Sequence, residues 1–256
     1  MNTPKQIAES YIEIGAAKAA QGKWKTFLLA VLAGVFVALA GVGSTVGSSL
    51  GGKIASACIF PAGLAMVIVA GSELFTGNSL MVISLMERRI TLGQLLTVWL
   101  IVYLGNFVGA LFVTALAVWG GTFDALYEPV IATAAAKTAI GFGDAFLRGV
   151  LCNIMVCTAV WMTMAAKDAA SKIICLYLPI MVFVLGGFEH CIANMYYIPA
   201  GLWAAGRYGV TAEGLSWGTM AVKNLLPVTL GNVAGGVGLG VVFHAIYLPA
   251  RARQKV

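Results

Sequence analysis

Two short polar stretches interrupt long apolar runs of the sequence and decide how the chain can fold. The first reads Ala70-Gly-Ser-Glu-Leu-Phe-Thr-Gly-Asn78, and the second reads Gly187-Phe-Glu-His-Cys-Ile-Ala-Asn194. Both contain the pattern G-x-E-x-x-x-x-N, with carboxylates at Glu73 and Glu189. A carboxylate in mid-membrane costs several kcal/mol unless it is paired or faces water. The recurring pattern favours two helices broken midway over the alternative that each glutamate marks a helix end at the membrane surface.

The composition places the chain in a membrane. Only 10% of its 256 residues are charged and 60% are hydrophobic, with a mean hydropathy of +0.92, whereas soluble domains carry about 25% charged residues. A helix needs about 20 apolar residues to cross a bilayer, so the gaps between charges predict the spans. The uncharged runs predict helices one, three, four and six at 26–52, 90–123, 149–166 and 224–250, and the broken second and fifth helices occupy 54–86 and 173–206.

A second motif recurs in the same order as the first. Helix three contains Gly105-Asn-Phe-Val-Gly109 and helix six contains Gly231-Asn-Val-Ala-Gly235, both of the form G-N-x-x-G. The two motifs recur in the same order, at offsets of 116 and 126 residues. Two chance matches rarely give this, so the pattern indicates an internal duplication. Each half then holds three crossings, and this odd number inverts the second half relative to the first. The predicted fold is an all-α integral membrane protein whose six transmembrane helices form two inverted three-helix repeats, with substrate sites where the breaks meet.

The distribution of basic residues predicts the orientation of the chain. Most of the 16 Lys and Arg residues fall on the cytoplasmic side when the N-terminus is placed inside, as membrane proteins favour. The predicted organisation is a cytoplasmic amphipathic segment at 1–25, a single pore domain at 26–248 and a short cytoplasmic tail at 249–256. The protein is expected to be a multi-pass protein of the cell inner or plasma membrane with both termini cytoplasmic. The first segment is either an interfacial anchor or a lid on the cytoplasmic mouth.

Three dispersed motifs give the chain a family resemblance. Besides 70–78, they are Asn153-Ile-Met-Val-Cys157 followed by Ala159-Val-Trp-Met162, and Gly187-Phe-Glu-His-Cys-Ile-Ala-Asn-Met195. From about residue 20 to residue 248, the chain resembles the formate/nitrite transporter family. The resemblance implies an aquaporin-like protomer in a homopentamer, in which each protomer has its own pore for small monovalent anions such as formate, nitrite or hydrosulfide.

The resemblance also implies a role for individual residues. The family's central pore histidine corresponds to His190 and the threonine of its broken second helix to Thr76, while its pore-associated lysine and asparagine correspond to Lys137 and Asn153. These four residues form the implied substrate pathway. The family's two hydrophobic constrictions correspond to Phe60 and Phe183 on the extracellular side and to Leu64, Phe75 and Val156 on the cytoplasmic side. Phenylalanines at these positions also fit an ordinary helix-bundle core.

His190 and Thr76 suit the chemistry of anion passage. A bare anion cannot cross about 30 Å of hydrocarbon, because its desolvation costs too much. With an ordinary pKa near 6.5, His190 is a candidate donor of a proton or of a hydrogen bond, and the Thr76 hydroxyl is a second hydrogen-bond donor. If formate takes up a proton, neutral formic acid crosses and transport is coupled to protons. If His190 only donates a hydrogen bond, the pathway is an anion channel, and the sequence leaves both open.

Four polar residues are expected to support the breaks. Glu73 and Glu189 are expected to accept hydrogen bonds from the backbone N–H groups that the breaks set free. Asn78 and Asn194, at matching places after the breaks, are expected to cap the same backbone.

Lys137 precedes helix four, on the extracellular half of the predicted topology. It is expected either to draw anions toward the pore through its field, or to serve as a membrane anchor or form a salt bridge with Asp144 or Glu128.

Other classes of function fit the sequence less well. A water or polyol channel of aquaporin type should carry two Asn-Pro-Ala loops, and no Asn-Pro occurs. An enzyme is not expected, because two separated histidines and no paired aspartates offer no catalytic dyad. Five cysteines without a C-x-x-C spacing predict neither a metal site nor a disulfide framework, and no cofactor is expected. The expected partners are a small anion, protons and the lipid bilayer, and nucleic acid is excluded by the scatter of the basic residues.

Overall fold

The structure, a computed structural model, describes residues 1–248, and the regular structure in this range is all helical. The helices in chain order are α1 (Pro4–Ala20), α2 (Lys23–Ile59), α3 (Pro61–Val69), a 3₁₀ turn (Gly77–Met81), α4 (Val82–Met86), α5 (Leu92–Trp119), α6 (Tyr127–Ala139), α7 (Phe142–Ala165), α8 (Ala169–Gly186), α9 (Cys191–Tyr208), α10 (Trp217–Thr219), a π-helical turn (Met220–Leu225) and α11 (Leu226–Tyr247). The predicted tail at 249–256 lies outside the described residues.

Apolar helices long enough to cross a bilayer dominate the chain. In the described range there are five such segments: Lys23–Val69, Leu92–Trp119, Phe142–Ala165, Ala169–Gly186 and Trp217–Tyr247. The first is kinked at Gly52, whose φ of 66° and ψ of −160° lie in a region that is essentially reserved for glycine. The kink falls where the sequence analysis ended helix one. The prediction of an all-helical, multi-pass membrane protein is confirmed.

Two predicted helix starts were too late, because a charge was taken as the end of a span. Helix α7 begins at Phe142 rather than at 149, with Asp144 and Arg148 exposed in its first turns. The last long segment begins at Trp217 rather than at 224, and Lys223 is exposed within it. Charged side chains near a helix end reach the aqueous interface and do not terminate the helix. Helix α6, which carries Lys137 in its last turn, was not predicted as a separate element.

Helix α1 folds back onto the bundle. Thr3 begins it with a capping box, in which the Thr3 hydroxyl accepts from the Gln6 N–H and the Gln6 side chain accepts from the Thr3 N–H. Ile7 and Tyr11 are buried in one cluster with Trp161, on which the Tyr11 ring stacks with centroids 5.7 Å apart. Protein therefore covers the apolar face that Ile7 and Tyr11 form on α1.

Two pairs of helices approach each other closely at glycines of the G-N-x-x-G motifs. A Cβ atom on Gly109 of α5 would lie 2.0 Å from the Val31 carbonyl oxygen of α2, and one on Gly231 of α11 would lie 2.1 Å from the Phe146 carbonyl oxygen of α7. Small residues at helix contacts are characteristic of membrane bundles. The close packing places the asparagine of each motif, Asn106 and Asn232, against a helix break.

Candidate functional site at two paired helix breaks

The first break separates α3 from the 3₁₀ turn at Gly77, and Asn106 of α5 holds it in place. The Asn106 Oδ1 accepts from the Phe75 N–H at 3.0 Å, and its Nδ2 donates to the Glu73 carbonyl oxygen at 2.9 Å and to the Ala30 carbonyl oxygen at 2.7 Å. The Glu73 N–H donates to the Leu29 carbonyl oxygen at 3.2 Å. Backbone groups that leave a helix inside a membrane need internal partners, and Asn106 and α2 provide them here.

The second break, between α8 and α9, has the same hydrogen bonds. The Asn232 Oδ1 accepts from the Cys191 N–H at 2.9 Å, and its Nδ2 donates to the Glu189 carbonyl oxygen at 2.9 Å and to the Gly149 carbonyl oxygen at 2.8 Å. The Glu189 N–H donates to the Arg148 carbonyl oxygen at 3.3 Å. Each bond has its counterpart in the first break, which supports the internal duplication inferred from the motifs.

A lysine and an asparagine surround each buried glutamate. The Lys18 Nζ of α1 lies 2.6 Å from the Glu73 Oε2, which also accepts from the Asn78 Nδ2 at 2.9 Å. In the other half, the Lys137 Nζ of α6 lies 2.9 and 3.1 Å from the two Glu189 oxygens, and the Glu189 Oε2 accepts from the Asn194 Nδ2 at 2.7 Å. Both carboxylates are thus buried as paired and hydrogen-bonded charges, which is the condition for placing them in a bilayer.

These partners differ from the predicted ones. Glu73 and Glu189 were expected to accept from backbone N–H groups, and Asn78 and Asn194 to cap the backbone; instead, the four side chains bond to one another and to lysines. The predicted partners of Lys137, Asp144 or Glu128, are wrong as well, because its salt bridge is with Glu189.

His190 and Thr76 meet where the two breaks come together. The His190 Nε2 lies 3.0 Å from the Thr76 Oγ1, and both residues are buried. The His190 Nδ1 caps α9 by accepting from the Ala193 N–H at 3.0 Å. Because a backbone N–H can only donate, Nδ1 carries the lone pair and Nε2 carries the proton of the neutral ring. The ring therefore donates to Thr76, whose own hydroxyl hydrogen remains available to a further acceptor.

An open cavity, here called the vestibule, leads to His190 from the side of the molecule that carries α6. Its volume is about 420 Å³, and Lys137, Glu189 and His190 line it. Phe60 and Phe183 also line the vestibule, with ring centroids 5.6 Å apart in an edge-to-face arrangement. The predicted outer pair of aromatic side chains is therefore close enough to narrow a passage beside His190.

The residues of the predicted inner constriction lie in the apolar core. Leu64, Phe75 and Val156 are buried in one cluster, and the Phe75 ring contacts Tyr103 edge-on with centroids 4.9 Å apart. Asn153 uses its amide group to connect elements: its Nδ2 donates to the carbonyl oxygen of Thr76 at 3.2 Å and to that of Asn232 at 2.6 Å. Asn153 thus connects the first break to α11, at the residue that holds the second break, and is not among the residues that line the vestibule.

Sequence reasoning missed three residues that build the site. Asn106 and Asn232 were recognised as repeat markers, but their amides were not assigned to the breaks, although an asparagine in an apolar helix calls for a buried partner. Lys18 was counted only among the basic residues of the cytoplasmic side. The repeat could have revealed the role of Lys18. It precedes Glu73 by 55 residues, and Lys137 precedes Glu189 by a similar separation of 52 residues.

Fold and site together define a class of protein. Long apolar helices are broken at two places, buried charges are paired around the breaks, and a polar pair lies at the end of an open vestibule. Polar groups held at membrane depth beside a cavity mark an ion or substrate pathway. The class is that of the polytopic membrane transport proteins.

Comparison with known proteins gives the family. The family model described as formate/nitrite transporter matches residues 5–246. The formate channel FocA of Haemophilus influenzae is 37% identical over 91% of this chain and 90% of its own length, and FocA of Escherichia coli is 36% identical over 96% and 94%. A solved structure titled "Pentameric formate channel with formate bound" covers 88% of this chain and 98% of its own, with 33% identity and a TM-score of 0.77. The chain belongs to the formate/nitrite transporter family.

Proposed function

We propose that this protein is a membrane channel for small monovalent weak-acid anions, with formate as its preferred anion. The similarity to proteins named as formate channels supports formate. Nitrite and hydrosulfide are the alternatives within the family. The observation that carries the proposal is the buried contact of 3.0 Å between His190 and Thr76 at the end of the vestibule.

The proposed architecture has six membrane passages in two inverted repeats around an aquaporin-like pathway, within one pore domain at 26–248. The matching hydrogen bonds of Asn106 and Asn232 support the repeat. We also propose a homopentamer, because a relative of solved structure is titled pentameric. Both termini are assigned to the cytoplasm, so the vestibule opens to the outside and α1 covers the inner mouth.

In the proposed pathway, an anion entering the vestibule passes the ring pair of Phe60 and Phe183 and meets His190 and Thr76. Leu64, Phe75 and Val156 then form the inner constriction. The anion accepts from the Thr76 hydroxyl, which the His190 Nε2–H polarises by donating to it. Two apolar constrictions around a small polar centre exclude hydrated cations and large solutes by desolvation.

The geometry supports His190 as a hydrogen-bond donor more than as a stable cation. A second proton would have to bind Nδ1, which now accepts from the Ala193 N–H. Displacing this buried N–H without a new partner costs about 1–3 kcal/mol. We therefore favour flux of the anion past a neutral ring, and proton-coupled passage of the neutral acid is the alternative that the experiment must separate.

Uptake into proteoliposomes tests the proposal. Formate, nitrite and hydrosulfide are offered at two pH values to the wild-type protein, to His190→Asn and to the matched control His244→Asn. Asparagine keeps one acceptor for the α9 cap and one donor toward Thr76 but does not titrate. His244 is the other histidine of the sequence, and its Nε2 pairs with the Glu87 Oε1 at 2.7 Å.

We expect the wild type and the control to carry formate best, and His190→Asn to keep both its flux and the pH dependence of the wild type, because a ring that stays neutral contributes no pH dependence. If His190→Asn assembles normally but carries nothing, proton transfer at His190 is required and the proton-coupled alternative holds. If the wild type moves none of the three anions, the proposal is wrong.

A further inference from the structure

The vestibule contains a positive charge that the pathway described above does not use. Lys53 lines it, at the start of the helix that follows the kink at Gly52, and its side chain is exposed. A Cβ atom on Gly187, in the second break, would lie 3.7 Å from the Lys53 Nζ. The ammonium group therefore reaches across the vestibule to the break that carries His190.

The two lysines of the vestibule differ in their electrostatic effect. Lys137 lies 2.9 Å from a Glu189 oxygen, so its charge is compensated before it can act on an incoming anion. Lys53 forms no salt bridge with any residue from 1 to 248. The net charge of the vestibule is one positive charge, the sum over Lys53, Lys137 and Glu189. In a recess with apolar walls such a charge focuses the field and concentrates counter-ions. The uncompensated charge is that of Lys53.

Hydroxyl groups lie between Lys53 and the constriction. Ser56, one helical turn beyond Lys53, and Ser44 line the vestibule, and their Oγ atoms are 2.6 Å apart. The Tyr197 hydroxyl donates to the Ser44 Oγ at 3.3 Å. When Ser44 in turn donates to Ser56, the Ser56 hydroxyl hydrogen is free to point into the vestibule. The three hydroxyl groups thus form a chain that ends in the Ser56 donor, which lies between Lys53 and Phe60 along the sequence.

We propose that Lys53 and Ser56 form an outer capture site, in which a small monovalent oxyanion is held by the ammonium group and the hydroxyl before it passes the Phe60 and Phe183 rings. This inference rests on the proposed function and adds a second anion site to it. The capture site raises the local concentration of anion at the constriction. It acts on entry from the vestibule face and leaves the passage past His190 unchanged.

The experiment separates capture from passage. Initial rates of formate flux are measured against concentration in right-side-out and inside-out vesicles containing the full-length protein, at low ionic strength and near 1 M salt. The variants are Lys53→Gln, Lys53→Arg, Ser56→Ala and the control Lys223→Gln. Lys223 is an exposed lysine beside the C-terminal end of α6, outside the vestibule.

In Lys53→Gln we expect the half-saturating concentration for entry from the vestibule face to rise about fivefold at low ionic strength. Near 1 M salt, where the screening length is about 3 Å, the rise should be about twofold or less. The maximal rate of Lys53→Gln should match that of the wild type, and Lys53→Arg and Lys223→Gln should match the wild type throughout. Ser56→Ala should show a smaller rise in the half-saturating concentration, which salt does not remove.

Three results would overturn the capture site: an unchanged half-saturation in Lys53→Gln, an equal shift in Lys223→Gln, or a loss of maximal rate without a shift. Each of these three results can be observed only if the wild-type protein carries formate. Each would therefore overturn the capture site and leave the proposed function intact. A wild type that carries no anion overturns the proposed function and the capture site with it.

Discussion

Removing the amide of Asn232 should destabilise the protein strongly, because three buried backbone groups depend on it. Asn232→Ala leaves the Cys191 N–H and the carbonyl oxygens of Gly149 and Glu189 without their present partner, and Asn232 itself is fully buried. Each lost hydrogen bond is worth about 1 kcal/mol, and an orphaned buried group costs about 1–3 kcal/mol. We expect a loss of about 4 kcal/mol in the free energy of unfolding.

Thermal unfolding in detergent, followed by tryptophan fluorescence, measures this loss. For a chain of this size about 4 kcal/mol corresponds to a fall of about 10 °C in Tm. Asn106→Ala should lose about as much, since its three bonds are the counterparts. The matched control is Asn2→Ala, which removes one bond, from its Nδ2 to the Met164 carbonyl oxygen at 2.8 Å, and should lower Tm by about 3 °C.

Asn232→Asp sharpens the test. The carboxylate keeps an acceptor for the Cys191 N–H but presents a negative charge to the two carbonyl oxygens, so it should destabilise more than alanine at neutral pH. The reasoning is refuted if Asn232→Ala unfolds at the temperature of Asn2→Ala, or if the aspartate variant is the more stable of the two.

Further predictions concern packing, charge pairing and capping. Gly231→Ala should prevent assembly or lower Tm sharply, because its Cβ would lie 2.1 Å from a backbone carbonyl oxygen. The control Gly143→Ala, whose Cβ would have no atom within 4 Å, should leave Tm unchanged or slightly raised in the same thermal unfolding experiment. Lys18→Met should cost about 2 kcal/mol by leaving a buried carboxylate without its cation, and adding Glu73→Gln should restore most of it in a double-mutant cycle of unfolding free energies. The Asp168 carboxylate caps the start of α8 by accepting from a backbone N–H, and this hydrogen bond lowers the pKa of the carboxyl. The cap is therefore fully present above the ordinary pKa of about 4 and is lost as the pH falls through the lowered pKa. The protection factors for hydrogen exchange in the first turn of α8, which correct for the intrinsic pH dependence of exchange, should therefore fall at low pH, and Asp168→Asn should remove that fall.

The overall fold was largely predictable because the bilayer imposes strict rules on a sequence. Gaps between charges located the membrane segments, and the repeated glutamate motif located both breaks. Helix ends were predicted less well. The charged side chains of Asp144 and Arg148 lie inside the first turns of α7, and a charge count cannot distinguish a charge at the interface from one beyond the helix end.

The residues of the site were predictable in kind but not in their contacts. Burial of Glu73 and Glu189 followed from the cost of a charge in hydrocarbon, yet their lysine partners come from helices more than 50 residues away in the chain. Such pairs depend on how α1 and α6 pack, and no local pattern encodes that packing. The tautomer of His190 is set by the N–H of Ala193, which a sequence reveals only once the start of α9 is known.

Comparison of the two breaks, position by position, separates what builds the protein from what serves its chemistry. Each asparagine that bonds a buried glutamate, and each G-N-x-x-G amide, has a counterpart that makes the corresponding bond in the other half, so these residues stabilise two unwound segments inside a membrane. His190 and Thr76 have no such counterparts, since the matching positions hold Leu74 and Ile192. Duplication would give each break the same side chains, and two histidines or two threonines facing each other would offer no ordered donor and acceptor. With one polar residue in each break at a position that is apolar in the other, a single directed hydrogen bond of 3.0 Å forms where the halves meet. The departures from the repeat therefore support the proposal that His190 and Thr76 act on the anion, and the repeated residues support the two breaks structurally.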